Sequence, residues 1–171
     1  MSNPFELLSI KLRDYGSDPS EAQLVEAARE LLSVCAAQDA FLCTFAVAAL
    51  EEERLHALAV ASESTPSIYL VSDGAGVVSP PHEHCTWAVI VGVRGNELNT
   101  FFHRPSSGSV FITPEHSVCV GPGEFLTMRE SAVHSTAVVG NESTFHVHLY
   151  GRPLFALPPF ASRCFAVQDA T

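Results

Sequence analysis

The chain has 171 residues, of which 47% are hydrophobic and 16% charged. That suits one domain with a sizeable core and excludes a disordered chain. The net charge of −10 repels phosphate backbones, so no nucleic-acid partner is expected.

Met1-Ser2-Asn3-Pro4 lacks a basic region followed by an apolar stretch. No signal peptide is visible, and the cytoplasm is the expected location. The longest apolar run, Ala40 to Leu50, is too short to span a bilayer, so no membrane partner is expected. The cysteines, Cys35, Cys43, Cys85, Cys119 and Cys164, are odd in number, widely spaced and without a CxxC. They form neither a disulfide framework nor a zinc knuckle.

The whole chain, 1–171, reads as a single domain that changes character near Thr65-Pro66. Residues 1–64 read as a helical segment. Asp18-Pro19-Ser20-Glu21 starts a helix with Ser20 as cap, and Leu24, Ala27, Ala28, Leu31 and Leu32 share one face. A second helix is predicted from about Asp39 to Leu50, with Glu51-Glu52-Glu53 as its solvated end. Residues 65–171 read as short strands between Gly, Pro, Asn and Ser turns. The strands are predicted at Ile68–Ser72, Thr86–Val93, Glu97–His103, Val110–Thr113, Ser117–Val120, Glu124–Met128, Thr136–Val139, Ser143–Tyr150 and Arg163–Val167. Many short, evenly spaced strands point to a sandwich or barrel, with the helices packed on one face.

His82-Glu83-His84 opens one of these strands. Residues i and i+2 of a strand share a face, so His82 and His84 project together. Two neutral imidazoles are half of a site for iron, zinc, copper or nickel. Taken alone, such a pair more often decorates a surface than binds a metal. The spacing around it adds weight. Gly76 precedes His82 by five intervening residues, Gly95 follows at the next turn, and His134 lies beyond the Gly121-Pro122-Gly123-Glu124 turn.

In these segments the sequence resembles the cupin superfamily, whose first motif is G-x5-H-x-H-x3,4-E-x6-G and whose second motif adds a histidine. The glutamate position falls on Ala88. A cupin with three histidines and no glutamate is similar to the cysteine dioxygenase branch, and so are Pro81–Ile90, His134-Ser135 and His146–Gly151. The resemblance implies a mainly β fold, a cupin double-stranded β-helix (jelly-roll) barrel with a short N-terminal helical segment. It implies a mononuclear iron(II) centre at His82, His84 and His134, and dioxygen as co-substrate. The implied reaction is oxidation of a small thiol to a sulfinic acid.

His146, His148 and Tyr150 alternate onto one face of their strand and occupy the family's Ser-x-His-x-Tyr positions, with His146 in place of serine. They are either a hydrogen-bonded core patch or an acid/base relay beside the metal. The family's crosslinking cysteine aligns with Ala88, so no crosslink to Tyr150 is expected. Its substrate-binding arginine aligns within Ile68-Tyr69-Leu70, where no arginine stands. Arg152, on the face of Tyr150 if the strand continues, is either the replacement cation or a surface charge. Cys85, next to His84, is a second candidate contact for substrate. His56, His103 and His116 read as surface or helix-end residues, and Trp87 as core.

Two other readings stay open. One is a cupin holding zinc or nickel with hydrolytic or isomerase chemistry. The other is a non-catalytic cupin that binds a small ligand. Pairing of barrel edges into a homodimer is a further expectation.

Overall fold

The computed structural model describes residues 3–105 and 111–167. Helix α1 (Pro4–Leu12) starts at Asn3, whose side chain accepts the Phe5 N–H, and carries proline in its first turn. Helix α2 (Glu21–Ala37) starts with a reciprocal capping box between Ser20 and Gln23. A single turn, α3 (Asp39–Leu42), follows. The strands are β1 (Glu53–Ala59), β2 (Ser67–Asp73), β3 (His82–Glu83), β4 (Ala88–Arg94), β5 (Asn96–His103), β6 (Phe111–Val120), β7 (Phe125–Met128), β8 (Val133–Val139), β9 (Thr144–Tyr150) and β10 (Ala166–Val167).

They form two five-stranded sheets, ordered β1-β2-β9-β4-β7 and β10-β6-β5-β8-β3. The first sheet is apolar on both faces, as its sequence demands. Ile68, Leu70, Val89, Val91, Phe145, Val147 and Leu149 pack outward against Phe5, Leu8, Leu12, Leu24 and Leu31 of the helices. Each such buried side chain contributes about 1.5–3 kcal/mol. Trp87 belongs to this layer; it is 1% exposed, and its indole N–H donates to the Gly16 carbonyl at 2.9 Å. Residues of the opposite parity, Tyr69, Ala88, Ile90 and Tyr150, face inward with Val120, Leu126 and Met128. Among the described residues no helix is long and apolar enough to cross a membrane. The five cysteines are free.

Five sequence expectations change. His82-Glu83-His84 does not open the strand predicted over Thr86–Val93: His82 and Glu83 form β3 in the second sheet, and the chain turns at Cys85 before β4 begins in the first. The helix predicted over Asp39–Leu50 stops at Leu42. Beyond it the Ala48 N–H donates to the Ser72 hydroxyl (2.9 Å) and the Ala48 carbonyl accepts from the Ser143 hydroxyl (2.8 Å), so the sheet takes the bonds a helix would need. The acidic run is no helix end, because Glu53 begins edge strand β1, inside the segment expected to be helical. The two strands predicted around Ser117 are one strand, β6, irregular at Pro114, where the register with β5 slips. Val110 and residues 106–109 of the neighbouring turn lie outside the described residues. The strand predicted over Arg163–Val167 is a 3-10 turn, Phe160–Arg163, followed by β10.

Candidate metal centre

Strand β3 pairs with β8 so that His82 stands directly opposite His134. His84 follows at a corner where Cys85 adopts φ 54° and the chain crosses to β4 in the other sheet. Such a backbone in a non-glycine residue costs about 1–3 kcal/mol and is held by the structure around it. The motif glycines Gly76 and Gly95 also take positive φ, 86° and 70°, which is why glycine stands there.

The corner brings three imidazoles into one cluster. One ring nitrogen from each of His82, His84 and His134 lies within 4.8 Å of the others. His84 Nε2 and His134 Nε2 are 2.8 Å apart. Two nitrogens bound to one metal at about 2.1 Å stand roughly 3 Å apart, so the spacing fits a shared ion. No carboxylate joins this group among the described residues.

Hydrogen bonds select the nitrogens that face the ion. His82 Nδ1–H donates to the Pro80 carbonyl at 2.9 Å, leaving Nε2 with its lone pair. His134 is fixed less directly. The Asn99 amide N–H donates to Glu97 Oε1 at 3.0 Å, so Asn99 Oδ1 must face His134 Nδ1, 2.9 Å away. Nδ1 therefore donates and Nε2 is free to bind a metal. Burial, then neighbouring imidazoles, holds His84 and His134 well below the usual histidine range; burial lowers His82 too. All three stay neutral, as ligands must be.

A cavity of about 610 Å³ opens onto this cluster between the two sheets. His148 and Tyr150 line it. Tyr150 lies 5.0 Å from His84 between ring centroids, and its hydroxyl is 2.9 Å from His148 Nδ1. Burial pushes His148 down to about 3 and Tyr150 above its usual value, so imidazole and phenol both stay uncharged. His148 Nε2 is buried without a partner.

The other sequence candidates do not join them. His146 is fully buried, but its Nε2–H donates to the Val120 carbonyl at 3.0 Å, and it is not part of the cavity wall. It lies four residues from Tyr150, about 13 Å along the strand, which takes it away from the metal. Arg152 is exposed, outside the wall, and donates to the Ala156 carbonyl at 3.2 Å, because the strand ends before it. Cys85 is half-buried at its corner and also lies outside the wall; burial, then the charge of Glu83, keeps it a thiol. His56, His103 and His116 lie outside the cluster: His56 in β1 against Phe45, His103 exposed at the end of β5, His116 stacked on Phe101.

The structure adds a residue the sequence reading missed. Arg163 is 7% exposed and lines the cavity beside the three histidines. Its Nη1–H donates to the Glu83 carbonyl (2.7 Å) and its Nε–H to the Pro158 carbonyl (3.0 Å), which fixes the guanidinium next to β3. Phe160, from the same turn, packs its ring 5.0 Å from His82.

No family model matches the chain, and no curated protein does. Solved structures do. A cupin superfamily protein from Desulfitobacterium hafniense superposes with a TM-score of 0.50 and 16% identity, over 64% of this chain and 84% of that one. A protein of unknown function from Streptococcus pyogenes gives 0.47 and 14%, over 60% and 76% of the two chains. An oxalate oxidase in complex with glycolate gives 0.49 and 17%, over 60% of this chain and 52% of that one. At these identities the likeness concerns the fold and not the chemistry. The chain has the mainly β fold of cupin superfamily proteins, with three histidines grouped where they could hold a metal ion.

Proposed function

We propose that the chain is an iron(II)-dependent dioxygenase that oxidises a small thiol bearing a carboxylate to the sulfinic acid. One observation carries the reading. The donor set among the described residues is three neutral imidazoles with no carboxylate, and Ala88, which is buried, stands at the position that the cupin motif gives to glutamate. A divalent ion held by neutral ligands keeps its full charge and favours an anionic thiolate as the next ligand. Iron(II), held by His82, His84 and His134, would supply the activation of dioxygen. The reaction balances without another reductant: thiolate and dioxygen combine, both oxygen atoms end on sulfur, sulfur loses four electrons and dioxygen gains four.

The chain's own residues do the rest. Arg163 offers a guanidinium beside the metal cluster, and a planar fork suits a carboxylate. It takes the place in this reading that Arg152 held in the sequence reading. Tyr150 and His148 are joined by a 2.9 Å hydrogen bond. In one tautomer the phenol donates to Nδ1; in the other Nδ1–H donates to the phenol oxygen, and the Tyr150 O–H is free to turn to a substrate.

The test is a turnover under ¹⁸O₂ with the product analysed by mass spectrometry. Sulfinate carrying two labelled oxygens is the expected product. Disulfide, with the label in peroxide or water and none on sulfur, would remove the dioxygenase reading and leave the metal site standing.

A further inference from the structure

The cavity has a second polar end that the three histidines do not touch. Asp73, the last residue of β2, pairs with Glu53 on β1 and with Thr144 on β9. It is 4% exposed, and its Oδ1 has no hydrogen-bond partner; the buried hydroxyl of Thr144 has none either. Glu97 reaches the same cavity from β5 in the other sheet, 1% exposed, with one oxygen held by Asn99. Glu53 lines the cavity and is exposed, so it stands at the rim. None of the three carboxylates forms an ion pair among the described residues.

Buried carboxylates without a cation are costly. Burial first, then mutual repulsion, pushes Asp73 up to about 7; burial pushes Glu97 to about 7 as well, against the pull of Asn99. A wall that is expensive when empty and relieved by a positive charge is the signature of a cation site rather than of a core. Three converging oxygens would suit a metal ion, but among the described residues only the histidines converge closely enough for that. An organic ammonium group needs only one or two of these carboxylates at a time and can turn its remaining N–H donors to water at the rim.

Position sets the length of the ligand. Glu97 stands opposite Val138 on β8, four residues from His134, which is about 13 Å of strand. Asn99 bridges the two ends by bonds of 3.0 and 2.9 Å, so Glu97 Oε1 lies no more than about 8 Å from His134 Nδ1. Arg163 makes the metal end positive and the three acids make the far end negative, so the cavity is polarised along its length.

We propose that Asp73, Glu97 and Glu53 form a subsite for the primary ammonium group of an elongated ligand whose other end lies at the three histidines. The inference rests on reading this cavity as the substrate site. It extends that reading to a dipolar thiol with an ammonium group at the end remote from its sulfur.

Zinc(II)-loaded protein, titrated with hexylammonium by calorimetry and thermal unfolding without thiol or dioxygen, tests it. 1-Hexanol and hexanoate are the controls. Hexylammonium is expected to bind at least about tenfold more tightly than hexanol and to raise the unfolding midpoint. Asp73→Asn and Glu97→Gln are each expected to lose about tenfold or more, and Glu53→Gln less. If Asp73→Asn does not fold, the two glutamate variants carry the test. The proposal falls if hexylammonium binds no better than hexanol, if binding survives Glu97→Gln unchanged, or if calcium takes the site at lower concentration in an Asp73-dependent way. Ammonium binding without thiol oxidation would keep the subsite and remove the dioxygenase reading; thiol oxidation without ammonium binding would do the reverse.

Discussion

Asn99 and His134 are joined by a 2.9 Å hydrogen bond that decides which nitrogen of the imidazole can bind a metal. The amide is oriented by Glu97 on its other side, so three side chains on β5 and β8 act as one unit. Asn99→Ala removes the orienting oxygen and leaves His134 Nδ1 and Glu97 unpaired. Metal affinity is expected to fall about 10- to 100-fold, with a loss of about 1–3 kcal/mol in the stability of the metal-free protein. Metal titration against a competing chelator reads the first and urea unfolding the second.

Glu97 ties stability to pH. Burial raises its folded pKa to about 7 from the ordinary 4.5. A raised carboxyl pKa gives stability that is present in full below the unfolded value and is lost as pH rises through about 7. Glu97→Gln keeps an acceptor for Asn99 and cannot ionise. The variant is expected within about 1 kcal/mol of the parent at pH 5 and about 1–3 kcal/mol more stable at pH 8, by urea unfolding of the metal-free proteins. The buried histidines act in the opposite sense. His84, His134 and His148 are held low by burial, so their contribution is lost as pH falls below 6.5.

Tyr150 stands beside the cluster, its ring 5.0 Å from that of His84. Tyr150→Phe keeps the ring against His84 and Tyr69 and deletes only the hydroxyl. Turnover is expected to drop about 10- to 100-fold with metal content unchanged. An unchanged rate at full metal loading would show that the His148–Tyr150 pair is structural.

Arg163→Lys keeps the charge and loses the planar fork. For thiols that carry a carboxylate, KM is expected to rise about tenfold or more, while thiols without one are unaffected. Equal effects on both classes would mean that Arg163 only holds the Phe160–Arg163 turn through its bonds to Glu83 and Pro158.

Local chemistry made much of this legible. The Ser20 cap, the apolar face of α2 and the strict alternation of β9 follow from periods of 3.6 and 2, and the structure keeps them. His82, His84 and His134 stood out because imidazoles are rare and their spacing is specific. Helix α1 carried a readable signal, Asn3-Pro4 ahead of Phe5, Leu8 and Leu12, that the sequence reading passed over. Strand β1 carried almost none, since an exposed edge strand needs no alternation. Arg163 and Asn99 were hidden for another reason. Arg163 meets Glu83 across 80 residues, and Asn99 meets His134 only through the register of β5 on β8. The parity of Glu97 and Asn99, two polar residues on one face of a strand, was the local hint. His146 shows the converse: it has the right parity, but its distance along the strand leaves it bonded to Val120.

The most direct measurement is oxygen uptake by protein loaded anaerobically with iron(II), offered a panel of small thiols, with His134→Ala alongside. The expected result is uptake that requires both a thiol and His134, in a one-to-one ratio with sulfinate formed. Stoichiometric iron with no uptake for any thiol, or uptake that persists in His134→Ala, would contradict a thiol dioxygenase centred on these three histidines.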